Sequence, residues 1–354
     1  MQQLTELING IKEADQAAGE RAVRHWDALA KPLGSLGLLE EDIVKIAALT
    51  GKEEEISLEK ACLFVFCADN GVVAQGVSQS DHRVTSAVAK ALGEGNSTVN
   101  YMAAAAACRV LPVNVGMKEG DDLPGLRQAC IQRGSGDISL GPAMSRQDCE
   151  RAILLGCELV REEKEKGTDI LLLGEMGIGN TTSSAALASA LLQEDPSRIC
   201  GRGAGLSDQG LKRKIEVIQK ALDQNRPDPK DPIDCLSKVG GFDLAALTGA
   251  CLGAAYYQMP LLLDGVISCA AALCAARLAE NCKKALLASH LSSEPAAVLL
   301  LKELELKAPI SAGLHLGEGS GAVLAFQLLK EVLAVYNSGH TFGHLGIEAY
   351  QHLS

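Results

Sequence analysis

Residues 171–182 read Leu171-Leu172-Leu173-Gly174-Glu175-Met176-Gly177-Ile178-Gly179-Asn180-Thr181-Thr182, an aliphatic run that breaks into glycines, one acid and two hydroxyls. With Asp169 and Ile170 in front, the run has the length of a buried strand, and Gly174, Gly177 and Gly179 allow close approaches that a side chain would forbid. Thr181 or Thr182 is placed to cap a helix over 183–192, whose Ala, Ser and Leu content lets it lie close to a sheet. The order strand, glycine turn, helix is one βα unit. Free amides and the dipole at such a helix start favour an anion such as phosphate. A loop that is glycine-rich only for packing fits the same letters, but Glu175 is an acid that packing does not call for.

Upstream, Ala61-Cys62-Leu63-Phe64-Val65-Phe66-Cys67 is a second buried strand and ends in Asp69-Asn70-Gly71. A third covers 109–115, where Pro112 sets it near an edge or a bulge. Between these two strands, 84–107 is Ala-rich and helical with a break at Gly93-Glu94-Gly95-Asn96, and a helix from Ser145 to about Glu165 leads into the opening strand. Downstream, Gly201-Arg202-Gly203 enters a helix over 208–224, Pro227 to Pro232 form a loop, and Gly240-Gly241-Phe242-Asp243 cap the next helix. Short strands at 259–263 and 285–288 end in Asp264-Gly265 and Ser289-His290, and Gly317-Glu318-Gly319 opens an apolar helix over 323–335. This alternation predicts an α/β fold with a largely parallel sheet covered on both faces. Ligands of such sheets bind beyond the carboxyl ends of the strands, where Asp69, Glu175, Asp264 and the Ser289-His290 pair all fall.

Bulk properties narrow the class. A chain of 354 residues can bury an ample core, and a net charge of −11 argues against a nucleic-acid surface. The twelve cysteines include no CxxC pair and several lie in apolar stretches, which with a polar start at Gln2-Gln3 predicts a reduced, cytoplasmic protein. The most apolar stretch, 259–278, is broken by Asp264 and Arg277, so no membrane span is expected.

Several chemistries fail on spacing. The glycines at 174, 177 and 179 follow GxxGxG, with no second strand bearing a ribose-binding acid, and Asn180-Thr181-Thr182 lacks the lysine of a phosphate-binding P-loop. His340 and His344 have helical i, i+4 spacing, but the intervening Thr341-Phe342-Gly343 has no acid, and a solvated tail is the plainer reading. GxSxG is absent. Glu175 and Glu318 remain, each set among glycines that let a ligand approach, although each alone could equally cap a helix or pair with a lysine.

The segments Lys31-Pro32-Leu33-Gly34-Ser35-Leu36, Cys67-Ala68-Asp69-Asn70-Gly71, Gly174-Glu175-Met176-Gly177 with Asn180-Thr181-Thr182, 236–243 (LSKVGGFD), Leu263-Asp264-Gly265 and 316–322 (LGEGSGA) resemble the nicotinate-nucleotide:dimethylbenzimidazole phosphoribosyltransferases, in order from about 31 to 325. The resemblance implies a Rossmann-like α/β enzyme with a large catalytic domain over 59–324 and a small helical domain made from both chain ends, 1–58 and 325–354. It implies Glu318 as general base. It implies ribose and phosphate contacts from Gly174, Glu175, Gly177, Asn180, Thr181, Thr182, Gly203, Lys214 and Ser289, and an acceptor-base pocket at Ser80, Val88, Met176 and Leu316. No metal or cofactor is implied, because the pyridinium leaving group of nicotinate mononucleotide already carries its charge. The partners implied are that nucleotide, an aromatic lower base, and a second chain, either a copy or a paralogue. Asn70 where the family has His, and the apolar Val88 and Met176, depart from the family pattern. They leave open a phenolic acceptor such as phenol or p-cresol in a heterodimer, while a non-catalytic nucleotide-binding paralogue would be favoured had either acid been lost.

Overall fold

The computed structural model describes residues 2–54, 56–203 and 205–352. Its centre is a six-stranded sheet of β1 (Ala61–Ala68), β2 (Cys108–Gly116), β3 (Arg127–Gln128), β4 (Ile170–Met176), β5 (Leu261–Leu263) and β6 (Leu286–Ala288), in the order β3-β2-β1-β4-β5-β6. Every pairing is parallel. The chain winds outward from β1 on one side and from β4 on the other, so the direction of winding reverses between these two central strands, and a crevice opens at their carboxyl ends.

Every residue of β1 is buried, as a strand covered on both faces requires. Alternate side chains serve separate cores. Phe64, Phe66, Leu171, Leu173, Leu261 and Leu263 pack with helices Arg146–Glu165, Asn180–Leu192, Phe242–Tyr256 and Val266–Leu278. Leu63, Val65, Leu172, Leu262 and Leu287 face Gln16–Ala28, Leu38–Thr50 and Ser320–Tyr336. Pro112 lies on β2 one residue before the two-residue pairing with β3 begins at Val113, so its missing N–H leaves no ladder bond unmade on that side. The strand β3 has no apolar pattern by which its sequence would announce it.

The two chain ends meet on the second face. Tyr336 packs its ring tilted against His25, centroids 4.3 Å apart, and edge-on at 4.9 Å to Trp26, and its hydroxyl donates to the Glu53 carbonyl at 2.6 Å. The tail continues this contact: Ala30 N–H donates to the His340 carbonyl at 2.8 Å, Leu29 bridges Thr341, and Phe342 is buried, whereas His340 and His344 are exposed. A purely solvated tail is therefore corrected at residues 340–342. The helix expected at 323–335 runs Ser320–Tyr336, and the helix after β4 is capped by Gly179 rather than by a threonine. Gly179 takes φ +93°, and a Cβ there would lie 2.6 Å from Val73, so no hydroxyl-bearing residue fits.

Eleven of the twelve cysteines are buried and all are free thiols. They fill gaps as small apolar groups. Among the described residues, no helix is long and apolar enough to cross a membrane.

Candidate active site

A cavity of about 270 Å³ opens at the carboxyl ends of β4, β5 and β6. Of the residues singled out from sequence, Gly174, Glu175, Met176, Gly177, Asn180, Thr181, Val88, Gly203, Leu316 and Glu318 line it. Distant stretches of chain thus converge on the crevice that the winding order requires.

The wall that carries Glu318 is built by contacts between glycines and acids. A Cβ on Gly174 would lie 2.4 Å from the Glu318 carbonyl oxygen, so the segment bearing Glu318 crosses directly over the end of β4. Glu318 itself takes φ +58°, a left-handed conformation unusual for a side-chain-bearing residue. Asp264, at the end of β5, holds it there. Its Oδ1 accepts from the amides of Gly321 at 2.8 Å and Ala322 at 3.3 Å, and its Oδ2 accepts from Gly319 at 3.2 Å. These are free amides at the start of helix Ser320–Tyr336, where a carboxylate is favoured by both hydrogen bonding and the helix dipole. Burial nevertheless pushes the Asp264 carboxyl up, against the opposing pull of nearby His290 and the three amides.

Glu318 Oε2 is buried with no hydrogen-bond partner among the described residues. Burial raises the Glu318 pKa, the Val99 amide and Ser97 hydroxyl draw it back, and the charge of Asp264 adds to the rise. A desolvated carboxylate with one oxygen unengaged is suited to take a proton.

Glu175 has a different environment. Burial, followed by the charge of Asp243, raises it to about 8, while a hydrogen bond from Asn180 acts the other way. This environment favours the protonated, neutral form of the acid. Asp243 stands behind it, fully buried at the start of helix Phe242–Tyr256, and burial raises it to about 6. Gly177 fits over this pair because a Cβ would lie 3.1 Å from Asp243 Oδ2 and 2.4 Å from the Ala68 carbonyl oxygen.

Lys214 sits behind the cavity rather than in its lining. It is fully buried, and its Nζ donates to Thr181 Oγ1 at 3.0 Å and to the Gly201 carbonyl at 3.1 Å. Burial lowers its pKa, opposed by Cys200 and Glu294. Glu294 Oε1 accepts from the Gly203 amide at 2.9 Å. This end, with loop amides, a helix start and a lysine beneath, suits an anion.

Besides Lys214, three sequence choices do not line the cavity. Thr182 is buried inside its helix, Ser80 lies outside the lining, and Ser289 turns its hydroxyl to the Asp264 carbonyl at 2.9 Å. Asp69 is likewise turned away, accepting from the Lys118 amide at 2.8 Å. Asp264 and His290, placed at strand ends by sequence, do line the cavity, as do three residues not selected from sequence: Ser292, Glu294 and Arg202. The run Ser289-His290-Leu291-Ser292-Ser293-Glu294 offers several polar groups past a strand end, and its letters give no sign of which ones turn inward. Lys31 pairs with Glu40 at 2.7 Å and lies over the Trp26 ring at 4.9 Å, which folds the Lys31-to-Leu36 segment on itself.

The family profile described as Phosphoribosyltransferase matches residues 11–347. The nicotinate-nucleotide–dimethylbenzimidazole phosphoribosyltransferase of Ruminiclostridium cellulolyticum is 44% identical over 348 residues, covering 98% of this chain and 99% of its own. The protein of the same name from Escherichia coli O9:H4 is 41% identical over 338 residues, covering 96% and 94%. The crystal structure of CobT from Thermus thermophilus superposes with a TM-score of 0.88 at 37% identity over 94% of this chain and 99% of that one. The chain belongs to the phosphoribosyltransferase family that holds these nicotinate-nucleotide–dimethylbenzimidazole enzymes.

Proposed function

We propose that this chain transfers the 5-phosphoribosyl group of nicotinate mononucleotide to 5,6-dimethylbenzimidazole or a related lower base of a cobamide, giving an α-riboside 5′-phosphate and nicotinate. The observation that carries the reading is two glycine-framed acids at one cavity, Glu175 on β4 bonded by Asn180 and Glu318 with an unengaged oxygen on the loop above it.

In this reading the C1′–N bond to nicotinate breaks with its electron pair passing to the ring nitrogen, which leaves a neutral pyridine. A ring nitrogen of the acceptor forms the new bond to C1′ from the opposite face. The acceptor's N–H proton passes to the Glu318 carboxylate. Glu175, held by Asn180, donates to the sugar, while Asp264 and Asp243 add negative field where positive charge spreads over the ribose ring. Thr181 and Gly203, with Lys214 beneath, take the phosphate. Val88, Met176 and Leu316 offer an apolar wall to the flat acceptor. Holding both substrates together supplies much of the rate. The work takes place in the cytoplasm, in keeping with the free thiols, and in a dimer, either of identical chains or with a paralogue.

The test is incubation with nicotinate mononucleotide and, in separate mixtures, dimethylbenzimidazole, a purine, phenol and p-cresol, following nicotinate release and product mass. A riboside phosphate of dimethylbenzimidazole supports the reading. A product from phenols alone would move it to the heterodimer with phenolic acceptors, and binding without release in any mixture would overturn it in favour of a nucleotide-binding paralogue.

A further inference from the structure

His290 has no part in the proton transfer described above, yet the fold makes a niche for it. It stands just after β6, buried, with its ring set against the first turn of helix Ser320–Tyr336. A Cβ on Gly321 would lie 2.0 Å from its Nδ1, so only glycine at that position admits the imidazole. A Cβ added at Gly265, on the other side, would lie at ordinary contact distance from Cε1 and Nε2.

The hydrogen bonds determine which nitrogen carries the proton. The hydroxyl of Ser289 has a single proton, and it goes to the Asp264 carbonyl at 2.9 Å. The 3.0 Å contact between Ser289 Oγ and His290 Nδ1 must then run from Nδ1–H to the hydroxyl oxygen. Asp264 Oδ1, 4.0 Å from the same nitrogen, favours a proton there as well. Nε2 is left with its lone pair. Among the described residues nothing donates to it, and His290 belongs to the cavity lining.

Its position fixes what can reach it. On one side, Asp264 and Gly321 tie it to the loop carrying Glu318. On the other, the chain runs through Ser292 to Glu294, which bonds the Gly203 amide at the anion end. A nucleotide with its phosphate at Gly203 and its anomeric carbon between Glu175 and Glu318 lays its sugar across this span. We propose, resting on the phosphoribosyl reading, that His290 Nε2 accepts a hydrogen bond from the 2′- or 3′-hydroxyl of the bound ribose and thereby selects ribonucleotide over deoxyribonucleotide donors. A site built around a hydroxyl rejects an analogue lacking it because the buried acceptor is then left unpaired.

Calorimetry with nicotinate mononucleotide and its 2′-deoxy and 3′-deoxy analogues tests this without requiring turnover. The wild type binds the ribonucleotide roughly tenfold or more tightly than one of the two analogues, the cost expected of one unmet buried acceptor. In His290→Asn the side-chain amide can still donate to Ser289 but no longer reaches the cavity, and the preference falls to within about threefold. In His290→Gln, whose amide reaches further, part of it returns. Nitrogen NMR of the histidine rings in the wild type provides a reading independent of any variant's folding. The His290 Nε2 resonance is that of an unprotonated nitrogen and shifts with the ribonucleotide more than with the disfavoured analogue. No preference in the wild type, full preference in His290→Asn, or a proton found on Nε2 of the free protein overturns the proposal. Nicotinate release by the wild type is followed in parallel. Absence of release counts against the transferase reading alone, and release with an unchanged preference in the Asn variant counts against His290 alone.

Discussion

Glu318 holds its carboxylate over the cavity only because its backbone takes a left-handed turn and a neighbouring acid secures the amides that follow. Replacing it with Gln preserves shape and removes the base. Glu318→Gln should bind nicotinate mononucleotide with a dissociation constant within about threefold of wild type while kcat falls roughly a hundredfold, the scale of general-base assistance. Stopped assays of nicotinate release beside calorimetry separate the two quantities, and unchanged turnover would remove Glu318 from the mechanism. Glu175 makes a prediction about pH. Its folded value of about 8 lies above the ordinary 4.5, because burial and the charge of Asp243 disfavour the anion. The folded state therefore keeps a proton that the unfolded chain releases, so the associated stability is complete below about 4.5 and is lost as pH rises toward 8. Glu175→Gln cannot ionise. Its melting temperature should gain on the wild type steadily from pH 5 to pH 8, and a constant gap across that range would contradict a neutral Glu175. Both acids were legible in the sequence because glycines surround them. Asp243 was read only as part of a helix start, because its effect on Glu175 arises from burial between two elements that no local pattern links.

Among the elements, strand ends were easier to read than helix starts. The breaks after Cys67, Leu263 and Ala288 are visible as aliphatic runs giving way to polar residues and fall at or next to strand ends, whereas the break at Leu173 does not, because β4 keeps pairing with β1 through Gly174 and Glu175 to Met176. Helix starts misled at 180–192, since the usual hydroxyl cap is replaced by Gly179 with the threonines inside the helix. A similar replacement occurs at Gly319, where the cap is supplied from β5 by Asp264, a partner 55 residues away. Asp264→Ala should destabilise the protein by about 1–2 kcal/mol, the cost of losing a helix cap, seen as a lower urea midpoint. Because the same amides fix Glu318, its loss of kcat should exceed that of a surface helix-cap variant of equal stability such as Ser145→Ala, whose side chain caps Arg146–Glu165 away from the cavity. Equal kcat losses in the two would mean that Asp264 serves folding only. Gly174→Ala probes the contact from below. Its methyl carbon would meet the Glu318 carbonyl oxygen at 2.4 Å, and backbone cannot yield as a side-chain tip does. Lower turnover with an intact far-ultraviolet spectrum is the expected result.

Across the molecule as a whole, the depth of the site is set by a layer that never touches it. Helix Phe242–Tyr256 begins with Asp243 behind Glu175 and is buried along almost its entire length. It can lie so close to the sheet because it meets helix Arg146–Glu165 through glycines on both partners. A Cβ on Gly249 would stand 1.9 Å from the Ile153 carbonyl oxygen, and one on Gly156 would stand 2.1 Å from the Ala246 carbonyl oxygen. Contact of backbone with backbone leaves no rotamer to adjust, so an added methyl must separate the helices or shift one along its axis. Gly249→Ala should cost about 1–3 kcal/mol. The comparison is Gly141→Ala, where nothing lies within 4 Å of the added carbon and φ is not left-handed. There the smaller freedom of the unfolded chain gives a change between zero and a gain of about 1 kcal/mol. Urea unfolding of the two variants should thus move the midpoint in opposite directions or leave Gly141→Ala unmoved. The sequence offers both glycines without distinction, since what separates them is the helix that the fold brings against one and not the other. If Gly249→Ala displaces its helix from the sheet, Asp243 recedes from Glu175 and the acid's pKa falls toward the ordinary carboxyl range. The test is the pH dependence of melting temperature in Gly249→Ala. A flatter profile than wild type between pH 5 and 8 would tie the packing of the back layer to the protonation of the site, and an unchanged profile would confine that packing to stability.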